Sequence, residues 1–596
     1  MLWTLVFVCV VRSACGNADD VESRVVSTKQ GLVRGYKSPD GDFFVFYGVP
    51  YATAPTGSQK FNAPLPPPTW IETFEAVDKG VVCPQIDFGF WSTNKQTENC
   101  LIANIFVPKT DEKELPVLVY VHGGAYILGY ANFITPYNLA SSKKAVIVNF
   151  NYRLGAHGFL CLGTKDVPGN AGMKDQVALL RWVKDNIASF GGSPDDVTIA
   201  GYSAGSSAVD LLMLSKMANG LFNKVIPESG ANTATFSVQA DPIEVAKKYA
   251  KKLNVTDVDD IYVLEEFYKT APYDLLTSGN VMSEKDGTFL FSPCVERDTG
   301  VERFLEDNPV NIIKSGNYEK RPMLYGFAKM EGLLRIELFE DWKDEMNKKF
   351  SDFLPADLQF NEEDKEEVAQ KIKKFYFGDK PVGSENILGY IDYISDTYFA
   401  YSTLRSVRLQ VEAGNNQIYL YEYAYVDDNS PMIPYINIRG ATHCAQTVAV
   451  LDGLNFTHKD EKIISDEFKK MKQTIREIWL NFVETGKPIP ESSSLPAWPP
   501  TGANASPYMV LDKVLELKET PMLEERMRLW DEIYTKYYRQ PVPPSGPVPN
   551  HSELYEIVII LLLPILFLIT YVTVNIYKYL LLLIKYFIDI CTRKIF

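Results

Sequence analysis

Histidine is scarce in this chain, with five residues in 596. Lysine and arginine number 60 against 75 aspartates and glutamates, a formal net charge of −15, and nowhere do the cations gather into a basic stripe. A surface of that sign repels phosphate backbones, which excludes nucleic acid as a partner. No internal repeat is present, so repeat architectures are excluded. Apolar residues make up 46% and charged residues 23%. That balance is globular and excludes disordered and low-complexity classes.

What the chain does contain begins with its two ends. Met1 to Val11 is an apolar run too short to span a bilayer, followed by Arg12 and the small-x-small triplet Ala14-Cys15-Gly16. Residues 1–16 therefore read as a signal peptide. Ile557 to Val574 is a second apolar run, long enough with Asn575 to Tyr577 to cross a bilayer core as a helix. Glu553 and Glu556 precede it, and Lys578, Lys585, Arg593 and Lys594 follow it. That asymmetry places the C-terminus in the cytosol. The expected order is a signal peptide (1–16), an ectodomain (17–540), a stalk with five prolines between Gln540 and Asn550 (541–556), a transmembrane helix (557–577) and a short cytoplasmic tail (578–596). This is a single-pass type I arrangement at the plasma membrane. A GPI signal is the alternative, since Ser545 and Gly546 are small, but such signals stop at their apolar tail and this chain runs on. Sequons at Asn254, Asn455, Asn504 and Asn550 fit N-glycosylation in a secretory lumen. Five cysteines, Cys83, Cys100, Cys161, Cys294 and Cys444, lie in the ectodomain, so at least one has no partner within it.

The body alternates strands and helices. Leu115 to Val121 and Ala145 to Phe150 are almost wholly apolar, as in strands covered on both faces. Asp175 to Ile187 has helical spacing, and Val197 to Ala200 reads as a strand leading into an apolar helix. Pro322 to Phe327 and Gln417 to Tyr425 read as further strands, and Ile463 to Val483 and Thr520 to Tyr537 as long helices. An α/β fold with a parallel-rich sheet covered on both sides is expected.

Three motifs carry chemistry. Gly201-Tyr202-Ser203-Ala204-Gly205 sits at a strand-to-helix turn, where a serine on a strained elbow exposes its hydroxyl. Val121-His122-Gly123-Gly124-Ala125-Tyr126 follows a buried strand, and its small residues leave backbone N–H groups free to face a developing oxyanion. An activated serine needs a base. His122 belongs to the oxyanion loop, His157 to an apolar loop, His458 to a charged stretch and His551 to the stalk, which leaves His443. The acid belongs between residues 203 and 443, after a strand. Glu331 follows the strand ending at Phe327; Glu340 and Asp341 lie in a more hydrophilic stretch.

Over nearly all of residues 25 to 537 the sequence resembles the type-B carboxylesterase and cholinesterase family, with arthropod esterases nearest in character. The resemblance rests on Phe46 to Ala52, Glu98 to Pro108, Asn151 to Gly155, Pro168 to Asn170 and Phe190 to Gly192, besides the motifs above. It implies an α/β-hydrolase fold with Ser203 as nucleophile, Glu331 as acid and His443 as base. It further implies Gly124, Ala125 and Ala204 as oxyanion donors, Ser229 as a supporting serine, and a Cys83–Cys100 disulfide. No residue matches the family's second disulfide. The implied reaction is hydrolysis of a small carboxylic ester through an acyl-enzyme, with no metal or cofactor. Tyr202 replaces the acidic residue of cholinesterases, and Trp91 is out of register with their choline-stacking tryptophan, which argues for uncharged, apolar esters. Ala445 and Gln446 stand where acidic residues are usual. Members of the family that act in cell adhesion supply the alternative function; they have typically lost a triad residue, and all three are present here. Transfer of the acyl group to an alcohol would use the same residues.

Overall fold

The apolar runs of the sequence pair side by side in one 13-stranded sheet. The computed structural model describes residues 21–86, 95–277, 284–452 and 464–545, and near the C-terminus 572–573, 575–586 and 588. The expected signal peptide, Trp91, Asn455, Asn550, His458, His551 and most of the expected span 557–577 lie outside the described residues. The chain forms two units, Met1–Pro544 and Ser545–Phe596.

In the first unit the main strands are β1 (Ser23–Thr28), β2 (Gly31–Lys37), β3 (Phe43–Pro50), β4 (Ile102–Pro108), β5 (Leu115–Val121), β6 (Val146–Phe150), β7 (Gly192–Tyr202), β8 (Lys224–Glu228), β9 (Met323–Ala328), β10 (Ile418–Tyr423), β11 (Tyr508–Leu511) and β12 (Glu516–Lys518). Their order is β1-β2-β3-β4-β6-β5-β7-β8-β9-β10-β11-β12. From β6 to β11 every neighbour is parallel, and antiparallel pairs occupy both edges. Alternation decides the two cores. Val117, Val119 and Val121 of β5 join one buried cluster, Leu118 and Tyr120 the other. Both faces of the central strands are therefore dry, which is why the sequence there lacks polar alternation.

Helices α1 (Ala171–Asn186) and α2 (Ala204–Leu212) lie on the first face; α4 (Ala445–Val450) and α5 (Asp466–Thr485) lie on the second. Helices α3 (Tyr401–Glu412) and α6 (Glu524–Tyr537) close the first side. In α5, Met471, Ile475, Ile478, Trp479 and Phe482 form one buried stripe.

Some boundaries move for local reasons. Helix α1 starts at Ala171 because Asn170, at φ 58°, ends the preceding loop in the left-handed region. Helix α5 starts at Asp466, where the Ser465 hydroxyl accepts the N–H of Phe468 at 3.1 Å. Helix α6 starts after Leu523, also left-handed at φ 51°. Strand β7 begins at Gly192, well before the expected Val197. The loop expected around His157 is instead a short helix, Gly155–Phe159.

Two disulfides pin the loops. Cys83–Cys100 forms, and Cys161–Cys294 joins residues 133 apart. Cys444 is buried and free, which accounts for the odd cysteine. In the second unit, residues 575–586 are helical and expose Leu580 to Ile584. Among the described residues no helix is long and apolar enough to cross a membrane.

Candidate active site

The parallel strands align one row of residues at their carboxyl ends. Gly201 pairs with Val121, Tyr202 with Glu228, Glu228 with Gly326, and Gly326 with Tyr421. Ser203, Ser229 and the glycine loop at 123–124 follow directly after this row, and Glu331 and His443 come from the longer loops beyond it, at the edge where open α/β sheets place their ligands.

Ser203 stands between β7 and α2 at φ 55°, ψ −125°, backbone space that side-chain-bearing residues seldom occupy. Strain of that kind costs on the order of 1–3 kcal/mol and persists only where the surroundings impose it. They do so here: the Ser203 N–H donates to the Glu228 carbonyl at 2.8 Å. The flanking glycines are required by contact. A Cβ at Gly201 would lie 2.5 Å from the Gly205 carbonyl oxygen, and one at Gly205 would lie 2.3 Å from that of Val121. Ser203 keeps 8% of its surface exposed.

The loop after β5 packs against this elbow, since a Cβ at Gly123 would meet the Ser203 Cβ at 3.0 Å. Gly124, Ala125 and Tyr126 all have positive φ, which turns the peptide planes of the loop. Among the described residues, nothing accepts the N–H of Gly124, Ala125 or Ala204. Ala204 is the first residue of α2, so its N–H has no acceptor within the helix.

His443 lies beyond β10. Its Nδ1 bonds Glu331 Oε2, and its Nε2 is buried with no partner among the described residues. Glu331 is fully buried and ringed by donors. Its Oε1 accepts the Ser229 hydroxyl and the Ala328 N–H, the latter at 2.7 Å. Phe399, in a π-helical turn over Asp396–Ala400, stacks on the His443 ring at 4.2 Å. Phe236 lies 5.7 Å from Phe399 and 4.6 Å from Phe289, so an aromatic wall backs the imidazole.

The other described histidines are disqualified by their surroundings. Burial pushes His122 down to about 4 and His157 to about 3, the latter helped by Lys60 and Arg153. His122 stacks on Tyr152 at 4.4 Å, with Nδ1 2.8 Å from the Gly123 carbonyl. The competing acids are also set aside. Glu340 is exposed and bonded to Tyr435 and Lys343, and Asp341 is exposed as well. Of the described sequons, Asn254 and Asn504 are exposed.

Sequence reasoning missed Glu228. It is fully buried, accepting the Thr447 hydroxyl at 2.8 Å and the Tyr421 hydroxyl at 3.1 Å. Its only signal was a carboxylate ending the otherwise apolar stretch Val225 to Pro227. Burial, reinforced by the charge of Glu331, pushes it up to about 8 against the bonds from Thr447 and Tyr421. A folded-state value raised above the unfolded one favours the protonated, folded form. The stabilisation is complete below the ordinary glutamate range and is lost as pH rises toward 8. Glu228→Gln, which cannot titrate, is expected to gain on the native protein by up to roughly 1.4 kcal/mol per pH unit across that window. Thermal melts of both proteins at several pH values check this; parallel curves would contradict it.

A serine elbow, an adjoining ring of free N–H groups and a buried His–Glu pair, all on the carboxyl edge of a mostly parallel sheet, define an α/β-hydrolase. Comparison with known proteins narrows the class. A family model described as the Carboxylesterase family matches residues 22–530. Esterase FE4 of Myzus persicae is 32% identical over 493 residues, covering 79% of this chain and 85% of that protein. The juvenile hormone esterase of Heliothis virescens is 30% identical over 527 residues, covering 83% and 92%. Among solved structures, juvenile hormone esterase from Manduca sexta, with OTFP covalently attached, matches with a TM-score of 0.77 at 29% identity, over 86% of this chain and 100% of that one. The chain belongs to the carboxylesterase family and is a carboxylic ester hydrolase.

Proposed function

We propose that the protein cleaves uncharged, apolar carboxylic esters through an acyl-enzyme on Ser203. The observation that carries this reading is the His443 ring. Its Nδ1 is anchored on buried Glu331, which leaves the Nε2 lone pair, without a partner among the described residues, to take the Ser203 proton. His443 Nε2 takes the Ser203 proton as Oγ attacks the ester carbonyl. The oxyanion is held by the N–H groups of Gly124, Ala125 and Ala204, each donor worth about 3 kcal/mol in comparable sites. Glu331 stabilises the imidazolium, which returns the proton to the departing alcohol. Water, deprotonated by the same imidazole, then releases the acid and restores Ser203.

Substrate polarity is read from the walls. Position 202 carries Tyr202, buried and stacked on Tyr120 at 6.2 Å, where it offers no negative charge to a cationic ester. Phe399, Phe236 and Phe289 give the base an aromatic surround. The proposal extends to location: an ectodomain delivered by the signal peptide and held on the plasma membrane by the 557–577 helix, a reading supported by the apolar run itself and its cationic flank. One experiment tests both parts. In secretory cells making the full chain, activity is expected in the membrane pellet after alkaline extraction, with 4-nitrophenyl butyrate turned over far better than butyrylcholine. Preference for the choline ester would overturn the substrate reading, and soluble activity the anchor.

A further inference from the structure

One aromatic ring reaches the base by way of an uncommon backbone turn. The helix Ile387–Ser395 runs into the π-helical turn Asp396–Ala400 before α3 begins at Tyr401. Single π turns inside helices are rare and gather at functional sites, since the wider turn re-aims the side chains around it. This one is pinned on both sides. The Ser395 hydroxyl accepts the N–H of Gly332, the neighbour of Glu331, at 2.8 Å and donates to the Ile391 carbonyl at 2.7 Å. The Asp396 carboxylate accepts the Tyr376 hydroxyl and the Nε–H of Arg526 in α6, the latter at 2.6 Å. Hydroxyls of Thr397 and Ser402 donate to the carbonyls of Tyr393 and Phe399, each at 2.9 Å. The segment so held presents Phe399, fully buried, with its ring stacked on the His443 imidazole at 4.2 Å between centroids and 29° between planes.

The contact changes character when the base takes a proton. A benzene face carries negative potential and its edge positive. Neutral imidazole draws mainly dispersion from such a face. An imidazolium is a cation, and a cation within about 6 Å of a ring centroid is attracted by the face, more strongly where water is kept away. The His443 side chain is 9% exposed, so little water screens that attraction. The cation exists only while Nε2 holds the proton of Ser203 Oγ or of the attacking water. Stabilisation confined to that moment lowers the barrier and leaves substrate binding alone. Glu331 meets the ring at its Nδ1 edge and Phe399 meets its face, so the two act on different parts of one charge.

We propose that Phe399 is a positioning residue whose ring face holds the His443 imidazolium in place and stabilises it, an uncharged second partner of the base beside Glu331. The inference rests on the Ser203–His443–Glu331 reading above and adds a residue that acts through it. Because the imidazolium forms both when Ser203 attacks and when water does, kcat reports the effect whichever step limits turnover.

The test replaces Phe399 in the full chain with 4-fluoro-, 3,5-difluoro- and 3,4,5-trifluorophenylalanine, alongside Phe399→Leu and Ser203→Ala. Fluorine draws electron density from the face with little change in ring size, so the series weakens the attraction and keeps the packing. With 4-nitrophenyl acetate and butyrate, kcat is expected to fall by about twofold per fluorine, equally for both esters, with KM and thermal melts unchanged. Phe399→Leu is expected to lose about tenfold in kcat. A kcat that stays level across the fluorinated series would overturn the proposal, because a ring that only fills space survives fluorination. So would a loss that differs between the two esters, the mark of a ring pressed on the acyl chain instead of the base. Should Phe399→Leu not fold, the fluorinated series decides by itself. A level series beside an inactive Ser203→Ala overturns the proposal alone, whereas turnover surviving in Ser203→Ala overturns the triad reading and the proposal with it.

Discussion

Ser203→Ala is expected to lower kcat by roughly 10⁴- to 10⁶-fold while leaving the protein folded. The loss is large because nothing else at the carboxyl edge can replace the hydroxyl. Gly124, Ala125 and Ala204 bring donors, and His443 brings a base, but each acts on a nucleophile that would be gone. The same position should show the cost of its backbone. Ser203 holds φ 55° and ψ −125°, which glycine adopts freely. Ser203→Gly is therefore expected to be as inactive as the alanine variant and more stable than the native protein, by on the order of 1–3 kcal/mol. Turnover of a 4-nitrophenyl ester and thermal melts of the three proteins check both statements. An alanine variant that keeps turnover, or a glycine variant that melts lower, would contradict them.

Glu331→Gln is the second large effect, with an expected loss of about 10⁴-fold in kcat and little change in KM. Three donors converge on this carboxylate: the Ser229 hydroxyl, the Ala328 N–H and His443 Nδ1. An amide can accept on one side only. With its oxygen toward Ser229 and Ala328, its NH₂ faces Nδ1 and forces the imidazole hydrogen onto Nε2. The ring is then a donor toward Ser203 and useless as its base. The reverse orientation opposes two donors with a third and leaves the side chain unable to settle. Steady-state kinetics with a melt as control make the check. A variant that melts lower but turns over normally would show that Glu331 only holds the fold.

How much of this could be read in advance follows from the distance along the chain over which each interaction acts. The Ser203 elbow and the glycine loop at 123–124 are local: their small residues, strand and helix all lie within a dozen positions, and the structure keeps them as read. The central strands Leu115–Val121 and Val146–Phe150 were equally legible, because burial on both faces leaves an unbroken apolar run. Glu331, Glu340 and Asp341 could not be separated on the same terms. What separates them is the His443 ring meeting Glu331 across β9 and β10, a contact 112 residues apart. Gln446 and Ser229, 217 apart, and Tyr421 and Glu228, 193 apart, are of the same kind. No spacing rule reaches them. The Cys161–Cys294 bridge belongs here too, because only the fold brings a loop after β6 beside one before β9. Helix starts slipped for a different reason: left-handed residues such as Asn170 and Leu523 set them, and asparagine only favours that conformation modestly while leucine gives no sign of it.

The central claim is that an ester's acyl group passes through the Ser203 oxygen. The direct measurement is mass spectrometry of the protein quenched in acid within the first turnovers of 4-nitrophenyl butyrate, followed by digestion and peptide mapping. Expected is a butyryl adduct on the peptide containing Ser203, formed in step with a burst of nitrophenol, absent from Ser203→Ala and lost as the acyl-enzyme hydrolyses. Steady turnover with Ser203 unmodified throughout, or an adduct that forms on another residue and persists in Ser203→Ala, would contradict the claim.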